Sequence, residues 1–295
     1  MNFKGLGVAL VTPFLRNGEI DYNSLPKIIE NIISGGANYL VLFGTTAEVV
    51  CLDDNEKKEI IKIVVESNKS RVPLIIGIGG NNTYKVISEI NSTDLSPFQG
   101  ILSVSPYYNK PSQEGIYHHY AKIAETSSLP IIVYNVPHRT GINIKSDTFI
   151  RLTKNYEKII AIKDATGDLF EAQKIIKEAP KNIQVISGDD ALTLPMLLAG
   201  AVGTISVLGN ALPGPLIKIF KHVEKGNLSM AYQLHYKLID IIQKLSEEGN
   251  PVGIKGLMGI MGLCSNQVRL PLVNASSDLI NQMKKILEND IFSLK

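Results

Sequence analysis

The chain has 295 residues, of which 44% are hydrophobic and 20% charged. That composition excludes disorder as the main state and is enough to bury a large core without disulfide or metal staples. Lys+Arg 30 against Asp+Glu 28 leaves a net charge of +2, a near-neutral balance that gives no reason to expect a nucleic-acid or membrane-surface partner.

Cys51 and Cys264 lie far apart, with no CxxC or Cys/His cluster around either. No structural metal is therefore expected, and both read as buried free thiols of a reducing compartment. The N-terminal residues lack the order of a secretory signal, and no apolar run approaches the length of a membrane span. The expectation is a cytoplasmic protein.

In chain order, eight short apolar runs stand out: Gly7 to Val11, Tyr39 to Phe43, Leu74 to Ile78, Ile101 to Val104, Ile131 to Tyr134, Ile159 to Ile162, Ile183 to Ile186 and Thr204 to Leu208. Each is apolar nearly throughout, as expected of parallel strands covered on both faces. Amphipathic stretches separate them. Ile28, Ile29, Ile32 and Ile33 mark one helical face; Ile60, Ile61, Val64 and Val65 mark another. Asp53 and Glu56 form a capping-box pattern ahead of the second. Strand and helix in regular alternation predict a (β/α)8 TIM barrel of the α/β class over residues 1–224. A doubly wound open sheet is the rival, weakened by the lack of a GxGxxG after the first strand. Beyond residue 225 the strand signal stops. Leu234, Leu238, Ile241, Ile242 and Leu245 share one helical face, and Gly249-Asn250-Pro251 breaks it. Residues 225–295 are expected to form a C-terminal helical extension packed on the barrel.

A barrel of this kind carries its chemistry at the C-terminal ends of the strands. After the second run, Gly44-Thr45-Thr46-Ala47-Glu48 offers hydroxyls and backbone amides for a carboxylate, or simply a turn with a cap. After the fourth, Tyr107-Tyr108-Asn109-Lys110-Pro111 offers phenolic donors, or aromatic packing against another subunit. After the fifth, Tyr134 and Arg139 flank a tight turn, and Arg suits bidentate carboxylate binding. His138 is read as a solvated loop histidine. Lys163 directly follows four apolar residues. An ammonium placed there loses hydration, which favours the free amine needed for imine formation with a ketone; the alternative is a lysine that snorkels to solvent. Ser187-Gly188-Asp189-Asp190 and the eighth run with Ile205 are placed to line the mouth, although the acidic pair reads better as a helix cap.

Taken together, these segments resemble the dihydrodipicolinate synthase and N-acetylneuraminate lyase family of pyruvate-dependent class I aldolases. The resemblance rests on Gly44-Thr45-Thr46, Tyr107-Tyr108-Asn109-Lys110-Pro111, Tyr134-Asn135-Val136-Pro137 and Ile162-Lys163-Asp164-Ala165-Thr166-Gly167 in that order. It runs from Leu10-Val11-Thr12-Pro13-Phe14 to Arg269-Leu270-Pro271. The Thr-Thr pair and Arg139 resemble the synthase branch; the alternative is an aldolase acting on a 2-keto sugar acid such as N-acetylneuraminate, or a non-catalytic barrel.

The resemblance implies that Lys163 forms an imine with pyruvate. Tyr134 then donates and accepts protons, and Thr45 links it to Tyr108, which reaches a neighbouring subunit's site. Thr46, the Ile205 backbone and Gly188 would hold pyruvate, and Arg139 the carboxylate of aspartate semialdehyde. It implies lysine-pathway chemistry, no metal or organic cofactor, and a homotetramer built as a dimer of dimers. Two departures follow. Ala47 stands where the synthases usually carry Gly, which would strain the backbone if φ there is positive. Lysine-sensing relatives use an Asn, a Tyr and a carboxylate; the matching residues here are Asn81, Tyr107 and Lys85, so weak or absent inhibition by lysine is implied.

Overall fold

The computed structural model describes residues 3–291. Among them, eight strands close into a parallel barrel in sequence order: β1 (Gly5–Ala9), β2 (Tyr39–Leu42), β3 (Leu74–Gly77), β4 (Gly100–Val104), β5 (Ile131–Asn135), β6 (Ile159–Asp164), β7 (Gln184–Ser187) and β8 (Gly203–Ser206). The (β/α)8 expectation is met, and the open-sheet rival is excluded. All eight apolar runs become strands, because continuous apolar segments suit a sheet buried on both faces. The ends differ by one or two residues. β1 starts earlier than expected, at Gly5, and β6 continues through Lys163 and Asp164. No helix among the described residues is long and apolar enough to cross a membrane.

The chain gathers into two compact units. One comprises the stretch ending at Lys4 together with Pro73–Ile205; the other comprises Gly5–Val72 together with the chain from Ser206 onward.

In the first unit, β3 to β8 pair in parallel, and their runs are buried almost without break. The β5–β6 ladder is irregular. Ile131 pairs Ile159, but Ile132 pairs Ala161, so Ile160 is skipped and Tyr134 comes to pair Lys163. The helix Gln113–Thr126 packs Tyr120 inward, where its hydroxyl donates to the Ser103 carbonyl at 2.9 Å.

In the second unit, β1 pairs β2 with Gly7 opposite Tyr39. A Cβ on Gly7 would lie 2.2 Å from the Tyr39 ring, so the fully packed tyrosine requires glycine there. Asn210, fully buried, accepts from the Val11 amide at 3.1 Å and donates to the Ala9 carbonyl at 2.8 Å, which ties off the end of β1. The helix Leu25–Ser34 buries Ile28, Ile29 and Ile32. The helix Asp54–Asn68 begins with the Asp53–Glu56 capping box and buries Ile60 and Val64. Ile33, Ile61 and Val65 are only half-buried, so both expected stripes are narrower than four residues per two turns. Leu234, Leu238, Ile241, Ile242 and Leu245 form the buried face of the helix Leu228–Glu247. The Gly-Asn-Pro break separates it from the helix Val252–Ile260.

Arg269 fastens this unit from its C-terminal side. Its guanidinium makes a two-pronged contact with Glu56 and also donates to the Cys51 and Gly18 carbonyls. That contact holds the Glu56 carboxyl below its ordinary value. Both cysteines are free thiols as expected, but they are half-buried rather than buried.

Candidate functional site

Within the first unit, Lys163 and Tyr134 are brought together. Lys163 is 5% exposed, and its Nζ stands 4.3 Å from the centroid of the Tyr134 ring, itself 6% exposed. Paired residues of parallel strands project to the same face, so the ladder register sets this contact. The loops beyond are stitched across the strand ends: the Ser105 amide donates to the Tyr134 carbonyl at 3.1 Å, Ala165 to Asn135 at 2.9 Å, and Gly188 to Asp164 at 2.7 Å. Gly188 has a steric role. A Cβ there would lie 3.0 Å from Lys163 Cε and 2.7 Å from Ala165 Cβ, so any side chain would press on the stem of the lysine. Ile205 lies fully buried in β8.

Arg139 is exposed on the short helix Pro137–Thr140 that follows β5. Asn135 sets this loop. Its Nδ2 donates to Asn143 Oδ1 at 2.8 Å and to the Ile144 carbonyl at 3.2 Å, and its Oδ1 accepts from the Ile144 amide at 3.1 Å. Thr140 adds donations to the Val136 and Ile142 carbonyls. His138 is exposed on the same short helix. Partial burial, then the neighbouring Arg139 charge, push its pKa down, while Asp189 and the Ala165 backbone pull the other way. Tyr108 is 89% exposed with φ 72, and Tyr107 is half as exposed or less, at 36%. The acidic pair does not cap the next helix. Asp189 turns back on the Ala191 amide at 2.8 Å, and the helix Thr193–Ala199 starts at Leu192 without a side-chain cap.

Within the second unit, Thr45–Ala47 form a single 3-10 turn after β2, with Thr45 half-buried and Thr46 buried. The residue in the left-handed region is Glu48 (φ 52), not Ala47. The alanine therefore carries no backbone strain, and the cost of roughly 1 kcal/mol for a non-glycine in this region falls on Glu48 instead. Side chains from other segments hold the turn. Thr12 Oγ1 donates to the Ala47 carbonyl at 2.8 Å, and Asn250 Nδ2 donates to Thr46 Oγ1 at 3.1 Å. The Glu48 carboxylate takes Lys255 Nζ at 2.5 Å and the Arg269 amide at 2.9 Å. Lys255 has no exposed surface. Burial pushes its pKa down, and Glu48 opposes that shift.

Sequence reasoning assigned no role to Asn135, Asn250 or Lys255. Lys255 did carry a signal, being the only charged residue in the helix Val252–Ile260. Such a charge needs a partner when buried.

The chain matches the model of the dihydrodipicolinate synthetase family over residues 2–290. It is 48% identical to a 4-hydroxy-tetrahydrodipicolinate synthase of Flavobacterium psychrophilum over 281 residues, which is 95% of this chain and 96% of that one. It is also 48% identical to the Karelsulcia muelleri protein of the same name over 279 residues, 94% of each chain. Its fold superposes on a dihydrodipicolinate synthase from Thermotoga maritima with a TM-score of 0.95 at 34% identity, covering 98% of this chain and 99% of that one. By this match and these relatives, the chain belongs to the dihydrodipicolinate synthetase family.

Proposed function

We propose that this chain is a 4-hydroxy-tetrahydrodipicolinate synthase, a lyase that condenses pyruvate with L-aspartate 4-semialdehyde at the entry to diaminopimelate and lysine biosynthesis. The observation that carries the reading is the buried Lys163 amine beside the Tyr134 ring at the end of β6. The names of the curated relatives support the synthase over a lyase of sugar acids.

In this mechanism the free amine of Lys163 attacks the ketone carbon of pyruvate, and water leaves to give an imine. The protonated imine draws electrons from the adjacent methyl group, which loses a proton and becomes an enamine. The enamine carbon attacks the aldehyde of the second substrate. The amine of that substrate then adds to the imine carbon and expels Lys163, which closes the ring. One water is released overall. Tyr134 supplies and removes the protons at the imine. Thr45 passes them between Tyr134 and Tyr108, the latter contributed by a neighbouring subunit of a homotetramer. Thr46 and the backbone of Ile205 hold the pyruvate carboxylate, Gly188 leaves room for it beside the lysine, and Arg139 anchors the second carboxylate. The setting is the cytoplasm.

The test is consumption of aspartate semialdehyde in the presence of pyruvate, followed through a coupled reductase. Turnover with aspartate semialdehyde supports the reading; turnover only with sugar aldehydes as acceptors would move the chain to the lyase branch.

A further inference from the structure

We propose that Glu48 and Lys255 are positioning residues, a buried ion pair that fixes the Thr45–Ala47 turn so that Thr46 can receive the carboxylate of the keto acid. The proposal rests on the pyruvate reading above.

The turn cannot hold itself. The residue that caps it, Glu48, sits in a conformation that L side chains avoid and lacks the freedom of a glycine to offset the cost. The hold comes from the helix Val252–Ile260 and the residues just before it. Asn250 donates to the Thr46 hydroxyl, and five residues later Lys255 reaches Glu48. Because Thr46 accepts from Asn250, its own hydroxyl hydrogen is left to donate to an anion.

The charges themselves are caged. Both oxygens of Glu48 are engaged, one by the Lys255 ammonium and one by the Arg269 amide. The ammonium also donates to the Gln267 carbonyl at 2.9 Å and stands 4.0 Å from the centroid of the Phe14 ring. Neither residue is more than 4% exposed.

A pair this deep is a poor device for stability, since an apolar pair of similar volume generally serves as well. What an ion pair with fixed hydrogen bonds adds is a single geometry. Here that geometry is imposed two residues after Thr46. A turn displaced by a fraction of an ångström would move the Thr46 hydroxyl away from the carboxylate it is proposed to receive.

The experiment compares two ketones. Full-length wild type, Glu48→Gln and the double variant Glu48→Gln/Lys255→Met are incubated with pyruvate, or with acetone as a ketone that lacks a carboxylate, and reduced with borohydride. The adduct on Lys163 is quantified by mass against ketone concentration. The variants are expected to need about tenfold or more pyruvate for half-maximal trapping, with acetone trapping within about twofold of wild type. Glu48→Gln strands the Lys255 ammonium and endangers folding. The double variant removes both charges, so it carries the decision if the single one does not melt cooperatively. Unchanged pyruvate dependence in a cooperatively melting variant would overturn the proposal. An equal loss for both ketones would do the same, since it would place the damage at the lysine. Failure of the wild type to trap pyruvate on Lys163 at all is a different result and would reject the function proposed above.

Discussion

Lys163 pairs with Tyr134 only because the β5–β6 ladder skips Ile160. Side chains alternate faces along a strand, so a shift of one residue sends every side chain to the other face. Had the Ile131–Ile159 register continued unbroken, Tyr134 would oppose Ile162 and the lysine would project away from the phenol. The irregularity is what places an amine and a phenol on one face. Irregularities of this kind recur next to active sites for that reason.

Tyr134→Phe keeps the ring beside Lys163 and removes only the hydroxyl. Turnover is expected to fall by about 10²- to 10⁴-fold, while the pyruvate concentration for half-maximal imine trapping changes little. If Tyr108 completes a neighbour's relay, mixing Tyr134→Phe chains with Tyr108→Phe chains should restore part of the activity. No recovery after verified subunit exchange would count against the shared relay.

Arg139→Ala is expected to raise the KM for aspartate semialdehyde by about 10- to 100-fold, as for a lost charge-assisted contact, and to leave the KM for pyruvate nearly unchanged. Asn135 and Thr140 hold the loop through hydrogen bonds of their own. Steady-state kinetics with each substrate varied in turn decide it; matching losses for both would assign Arg139 to loop architecture.

His119 makes folding stability depend on pH. It is 4% exposed, its Nδ1 lies 2.9 Å from Thr83 Oγ1, and burial lowers its pKa from 6.5 to about 4. The folded state therefore resists protonation that the unfolded state accepts. The stability this residue contributes is present above pH 6.5 and drains away as the pH falls towards 4, by about 3 kcal/mol at most. Chemical denaturation of wild type and His119→Gln between pH 7 and pH 4 should show a shallower decline in the variant. Parallel curves would mean that His119 is not the titrating group.

Lys85 lies exposed in the first turn of the helix Thr83–Ser92, close in sequence to Asn81, whose carbonyl accepts from Asn109 at 3.3 Å. A cation where lysine-sensing relatives carry a carboxylate turns an attraction for the amino acid's side chain into a repulsion. The expected affinity loss is about tenfold or more, even with solvent screening. A lysine titration at near-saturating pyruvate should show little inhibition at physiological concentrations. Strong, saturable inhibition would reject this reading of Lys85.

The eight strands were legible because a parallel barrel buries both faces of each, which leaves uninterrupted runs such as Ile159 to Ile162. The position of Lys163 at the end of one run was equally plain. The register irregularity was not, because Ile159 and Ile160 look alike and no periodicity marks the skipped one. The Asp53–Glu56 box was readable as local chemistry, whereas the second use of Glu56, as the partner of Arg269, joins residues far apart in sequence. Glu48 was visible within its motif, but its partner Lys255 lies 207 residues away. A lone lysine in an apolar helix signals that some partner exists without saying which. The condition for strain at Ala47, a positive φ, is not met: which member of a turn takes positive φ depends on the side chains that hold it, and here it is Glu48.

Above all, the Lys163 amine is expected to form an imine with pyruvate. The most direct measurement is peptide mass mapping of the wild-type protein after incubation with pyruvate and reduction with borohydride. One 1-carboxyethyl adduct is expected, on Lys163, with activity lost in proportion to its formation. An adduct on a different lysine, or none in protein that still turns over, would contradict it.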